Sequence, residues 1–119
     1  GMAYTFLKSQ GCEIGGSILD SENIGLAGEF IKKANNMGVK LMLPTDIVCA
    51  SDFADDAKVG VFPASGIPAE LQGLDIGPET IKAYSDEIKK AKTVIWNGPM
   101  GVFEMKSYDE ESGRGACRV

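Results

Sequence analysis

Apolar residues in this chain recur with a helical period in some stretches and form short unbroken runs in others. Met2 to Gln10 has the first rhythm, with Met2, Phe6 and either Tyr4 or Leu7 toward a core, and predicts a short helix ended by Gly11. A polar stretch through Gly15-Gly16 follows. Asp20 or Ser21 then reads as an N-cap, because Ala27, Phe30, Ile31 and Ala34 recur at i, i+3, i+4 and i+7. Asn35-Asn36 and Gly38 close that amphipathic helix. Val39–Leu43 and Ile47–Ala50 are unbroken apolar runs split by Pro44-Thr45-Asp46, which predicts strand, turn, then strand. Val59–Phe62 predicts another strand before a loop carrying Pro63, Gly66 and Pro68. Pro78 at N1 opens a helix with Ile81, Tyr84 and Ile88 on one face. Thr93–Trp96 reads as a buried strand by its β-branched and aromatic content, and it breaks off at Asn97-Gly98-Pro99-Met100-Gly101. Helix and strand in alternation predict an α/β sandwich with a mostly parallel sheet.

Composition narrows the function classes. At 119 residues, 44% hydrophobic and 24% charged, the chain is one globular domain in size. No apolar run reaches the roughly 18–20 residues of a membrane span, and no secretory signal opens the chain. A net charge of −5 spread over both halves leaves no basic face for nucleic acid. Small phosphates stay open, because backbone N–H groups and helix N-termini hold them without net positive charge. Histidine is absent, which removes Ser–His and Cys–His nucleophile pairs and most zinc sites. Cys12, Cys49 and Cys117 stand far apart with no CxxC, a pattern of reduced thiols and a cytoplasmic address.

The densest chemistry lies in Trp96–Glu104, WNGPMGVFE. A strand ending in glycines and proline exposes backbone at its carboxyl edge, where open α/β sheets take ligands. Asn97 would offer an amide near phosphates and Glu104 a carboxylate to ribose hydroxyls. The plain alternative is a strand-to-helix turn with Glu104 solvated. Gly73-Leu74-Asp75-Ile76-Gly77-Pro78 is a second candidate, either a close backbone approach to a ring or phosphate, or ordinary capping by Asp75 or Gly77. Asp46 either binds a ligand or caps a turn. Asp55-Asp56, Lys89-Lys90 and Asp109-Glu110-Glu111 read as solvated faces.

In this order and spacing, GMAYTFL, LMLPTDIV, GLDIGPET and TVIWNGPMGVFE resemble the phosphoglycerate kinase family. The likeness runs from Gly1 to about residues 104–108 and implies part of the carboxyl-terminal, nucleotide-binding domain. The implied fold is α/β, a Rossmann-like three-layer sandwich with a mostly parallel sheet, present as an incomplete domain over residues 1–107. Residues 108–119, polar and without periodicity, form a divergent, disordered tail in this reading, the ragged end of a truncated or misjoined frame.

By resemblance, Gly1, Gly73 and Leu74 lie beside adenine, with Tyr4 as an aromatic behind them. Asn97 and Gly98 face the nucleotide phosphates, and Glu104 bonds the ribose. The family moves a phosphoryl group between 1,3-bisphosphoglycerate and ADP, giving 3-phosphoglycerate and ATP in glycolysis. Such transfer relies on positioning and charge neutralisation, so a lack of histidine is no objection. The implied partners are ATP or ADP with Mg²⁺, and the phosphoglycerates through an amino-terminal domain outside the likeness. The chain is expected to be a monomer with no nucleic-acid or membrane partner.

Departures are equally informative. The upstream lysine that reaches the phosphates and the Gly-Gly-Asp loop that positions Mg²⁺ are missing, so no catalytic or metal-binding residue is expected in this piece. Leu71-Gln72 stands where a Trp-Met pair is common, which implies a different adenine wall. The isolated chain is expected to be inactive. Two other readings are a free-standing, non-catalytic nucleotide-binding module and an interaction protein that keeps the fold alone. Nucleotide affinity separates them.

Overall fold

A computed structural model describes residues 1–52 and 59–102. Helix α1 spans Met2–Ser9 and leads into β1, Glu13–Ile14. A 3₁₀ turn at Ser21–Asn23 runs into α2, Ile24–Asn36. Four strands follow, β2 (Asp46–Ala50), β3 (Val59–Pro63), β4 (Gly66–Ile67) and β5 (Gln72–Ile76), and then α3 (Pro78–Ile88). Each helix boundary has a local cause. Gly11 takes φ +83° and its N–H bonds the Lys8 carbonyl, which stops α1. Asp20 precedes the 3₁₀ turn and accepts from Asn23 Nδ2 at 2.7 Å, so the expected start of α2 is entered through one tighter turn. Pro78 occupies the first turn of α3, where its missing N–H costs nothing.

Strand β2 organises the body. All five of its residues are buried, as an unbroken apolar run requires when both faces of a sheet are covered. Ile47 and Cys49 point to one side, where they join Tyr4, Leu7, Ile14, Ala64 and Ile67. Val48 and Ala50 point to the other and meet Leu74 and Val102. This is the period-two alternation of a strand. Strand β2 pairs antiparallel with β3 on one side (Val48 opposite Val61) and antiparallel with β5 on the other (Ile47 opposite Ile76), with an irregularity between Val48 and Cys49. Strand β3 is one edge of this sheet, half-exposed, and Pro63 at its end is tolerated for that reason. The parallel pairing among the described residues is β1 with β4, Ile14 opposite Ile67.

The α/β class stands, with several elements placed differently from their periodicity. In α1 the buried side chains are Tyr4, Thr5 and Leu7, while Met2 is 74% exposed and Phe6 half-buried. The helix lies on the Ile47 side of the sheet, so the residues facing that side decide which stripe is covered. In α2 only Ala27 is fully buried, and Phe30 remains half-exposed. Val39–Leu43 and Thr93–Trp96 form no strand, and the expected burial of the second is reversed, with Ile95 92% exposed. Strand character needs a ladder partner, and none of the described strands pairs with either run. The 39–43 run instead follows α3, through Lys40 Nζ to Glu87 Oε2 at 2.6 Å and the Tyr84 hydroxyl donating to the Met42 carbonyl at 3.2 Å. Asp55, Asp56 and residues 103–119, including the expected tail, lie outside the described residues.

Helix α3 is fastened to β2 by one compact polar group. Gly77, its N-cap residue, has no side chain to cap with. Asp46, the first residue of β2, does it instead: Oδ2 accepts the Glu79 N–H at 3.0 Å and Oδ1 the Thr80 N–H at 2.8 Å. The Thr80 hydroxyl donates to Asp46 Oδ1 at 2.5 Å and accepts from the N–H groups of Thr45 and Asp46 at 3.0 and 3.1 Å. The Gly77 N–H bonds the Asp46 carbonyl at 2.9 Å. A Cβ at Gly77 would collide with the Asp46 carboxylate, so only glycine permits this approach. A carboxylate at the positive end of α3 is also electrostatically favoured.

Removing the Asp46 carboxylate strands the Glu79 and Thr80 N–H groups, while the Thr80 hydroxyl keeps the residue 46 carbonyl at 3.0 Å. Removing the Thr80 hydroxyl strands the Thr45 and Asp46 N–H groups. Asp46→Ala should cost about 3 kcal/mol and Thr80→Val about 2 kcal/mol in urea unfolding. The double variant should lose less than their sum by about 1 kcal/mol or more, because both belong to one network. Strict additivity would show that the two act separately.

Candidate functional site

The two glycine-bearing motifs meet behind β5. Residues 73 to 77, which run from β5 into the start of α3, are buried, and Leu74 is 7% exposed. The Val102 N–H donates to the Leu74 carbonyl at 3.0 Å, which brings the end of the Asn97–Gly101 turn onto the strand that carries Gly73 and Leu74. Asn97 and Gly98 are exposed, and Gly98 turns the chain through φ +74°. An exposed amide and an exposed main chain beside a sheltered strand suit a polar ligand.

Gly73 is tied in from the opposite side. A Cβ there would strike the Tyr4 hydroxyl and lie 2.7 Å from both Tyr4 Cζ and Ile47 Cγ2, so glycine is what lets α1 close onto the sheet. Its N–H donates to Ser17 Oγ at 2.8 Å. The loop holding Ser17 is drawn in by the Gly16 N–H on the Leu71 carbonyl at 2.8 Å. Gly15 makes this possible, since at φ +57° any Cβ would collide with the Pro68 and Leu71 carbonyl oxygens. Sequence reasoning missed Ser17: a serine in a polar loop carries no mark of a partner 56 residues away.

Of the residues singled out by sequence, Gly73 and Leu74 adjoin in β5, Tyr4 packs on Gly73, and Leu74 is bonded to the segment just beyond Asn97 and Gly98. Gly1 is exposed ahead of α1, where its carbonyl accepts the Tyr4 N–H at 3.2 Å. It borders a groove of about 450 Å³ between α1 and α2 that takes in none of the other candidates. Glu104 lies outside the described residues. Asp46 does cap, as one of its two readings held, but it caps a helix 33 residues away. Leu71 and Gln72 are half-buried, Gln72 opening β5. Among the described residues no group of three His, Cys, Asp or Glu could hold a metal ion, and no helix is long and apolar enough to cross a membrane.

The family model for phosphoglycerate kinase matches residues 1–115, which reaches into the segment that begins at 108. Phosphoglycerate kinases of Staphylococcus aureus strains JH9 and Newman are 48% identical over all 119 residues, which cover 29% of each relative. The solved phosphoglycerate kinase of Coxiella burnetii superposes with a TM-score of 0.96 at 36% identity, over 100% of this chain and 31% of that one. The enzyme from Pyrococcus horikoshii OT3 shares the fold, with a TM-score of 0.79 at 21% identity over 98% of this chain and 30% of that one. The chain thus spans about three-tenths of its relatives' length.

Burial sets the acid–base behaviour beneath the site. It holds the Tyr4 hydroxyl well above the ordinary phenol range, with the charges of Cys49 and Asp75 adding to the effect. Burial also lifts the Cys49 thiol from 9.0 to about 11. Both groups bind their proton more tightly when folded, so their contribution is full below the unfolded values and is lost as pH rises through the folded ones. Urea midpoints should hold steady above neutrality and then fall between about pH 9 and 11. Cys49→Ala should lose the thiol's share of that fall; a fall of unchanged size would assign it elsewhere.

Proposed function

This chain belongs to the phosphoglycerate kinase family, and from that premise we propose that its described residues form part of the wall of an adenine-nucleotide site. The observation that supports the reading is the hydrogen bond from Val102 to Leu74, which fastens the segment just beyond the Asn97-Gly98 turn to the strand carrying Gly73 and Leu74. In this reading Gly1, Gly73 and Leu74 flank the base, Asn97 and Gly98 face the phosphates, and Glu104 takes the ribose hydroxyls. The exposed turn, with positive φ at Gly98, leaves main chain accessible to phosphate oxygens, while Gly73 lets Tyr4 pack tightly behind the strand.

The reaction proposed for the complete protein is phosphoryl transfer between 1,3-bisphosphoglycerate and ADP, giving 3-phosphoglycerate and ATP, with Mg²⁺ carried on the nucleotide. The part played by these residues is orientation. The Asn97 amide and main-chain N–H groups would act on the phosphates through hydrogen bonds and form no covalent bond to them, as this chemistry asks. The phosphoglycerate would be held by parts of the protein beyond this stretch. A cytoplasmic, monomeric protein fits the same reading. The stretch by itself binds and does not turn over.

Thermal unfolding with and without millimolar Mg-ADP tests this. At 100 times its dissociation constant, a ligand bound only by the folded state adds about 2.7 kcal/mol. ADP should raise the midpoint and GDP should raise it less. Asn97→Ala should shrink the ADP effect without moving the ligand-free midpoint, since its side chain is exposed. A melt indifferent to ADP overturns the reading.

A further inference from the structure

Residues 91–100 are exposed without interruption, and Gly101 and Val102 are the first half-buried positions after them. Whatever this stretch presents to a ligand is therefore aimed from its fastening at 101–102. Two contacts make that fastening. One is the main-chain bond from Val102 to Leu74, with Val102 packed against the cluster of Val48, Ala50 and Leu74. The other is a close approach of main chain to a buried carboxylate. A Cβ on Gly101 would collide with Asp75 Cγ and Oδ1 and would lie 2.7 Å from Asp75 Cβ. Asp75 is 2% exposed and is itself held, Oδ1 accepting the Ile76 N–H at 2.7 Å.

We propose that Asp75 and Gly101 form a positioning contact that aims the Asn97–Val102 turn, so that Asp75 acts on the nucleotide site without touching the ligand. The proposal rests on the reading of Asn97 and Gly98 as phosphate-facing. The physical case is one of fit. A turn exposed along its length loses backbone freedom when it is ordered, so it is pre-aimed only if something rigid indexes it. Asp75 is such an index, because its strand is paired to β2 and its own oxygen is already committed to Ile76. Gly101 reads the index, since the absence of one carbon lets the chain come this close. A cap, the other role open to Asp75 from sequence, would point its carboxylate at the N–H groups of α3. Asp46 already fills that place.

Trp96 is the single tryptophan, five residues from Gly101 and 42% exposed, so its emission and its quenching by acrylamide report the turn directly. The test uses the 119-residue chain with Gly101→Ala, Asp75→Gly and the two combined. Gly101→Ala should increase Trp96 quenching and weaken Mg-ADP binding about tenfold or more, the scale of a small misplacement. Its far-ultraviolet circular dichroism should be unchanged. Asp75→Gly empties the space that the added methyl needs, so the double variant should return quenching to within about twofold of the parent. Parent-like quenching in Gly101→Ala, or a double variant no better than that single one, overturns the proposal. Should Gly101→Ala fail to fold, the double variant decides: folding with parent-like quenching supports the contact, and failure to fold counts against it. If the parent itself ignores ADP, the nucleotide reading fails, while the Trp96 quenching still decides whether the contact positions the turn.

Discussion

The carboxylate of Asp46 holds the first residue of the central strand to the first turn of a helix that arrives 33 residues later. Everything else in the body is arranged around that join. Strand β2 has its start fixed by it, and β3 and β5 index their registers from β2. Helix α3 begins where the carboxylate accepts its free N–H groups, which also sets where β5 must end. The arrangement satisfies backbone donors that would otherwise be stranded, and it does so with one strand residue and one threonine. Few substitutions could keep it. Asparagine would offer one acceptor oxygen in place of two, and any side chain at Gly77 would enter the carboxylate.

The candidate site is built on the far side of the same sheet from α1, yet α1 reaches it through Gly73. Tyr4 closes on that glycine from one face, while Leu74 and Val102 meet on the other. The strand between them is pinned on both sides, which is the condition for presenting main chain to a ligand at a fixed position. Ser17 completes the pinning by accepting from the Gly73 N–H, a donor that would otherwise sit buried without a partner.

Helices and the central strand were legible from sequence because their signals are local. The apolar run Ile47–Ala50, the proline opening α3 and the glycine closing α1 each act on their own neighbourhood. The motifs around Gly73 and Asn97 stood out by their concentration of glycine and proline, although the strand expected before Asn97 does not form. What could not be read is everything that depends on a distant partner. Asp46 offered two roles and no sign that its cap lay on α3. Ser17 was an ordinary polar residue and Asp75 a candidate cap until the fold buried them. Thr93–Trp96 misled for the same reason in reverse: its composition states half of a ladder, and a strand exists only when the other half is alongside. Met2 and Phe6 satisfy helical periodicity, but the tilt of α1 on the sheet gives burial to Tyr4 and Leu7.

The contact between Gly77 and Asp46 has a consequence for how this stretch can change over evolutionary time. A glycine pressed against a carboxylate and a carboxylate shaped by that glycine are a single heritable unit spread over two motifs. Neither can drift alone without loss to the other, so the route to any alternative passes through a less stable intermediate. A change at residue 46 or at residue 77 is therefore expected to need a matching change at the other, and recombination that separated them would have to join two lineages sharing the same solution.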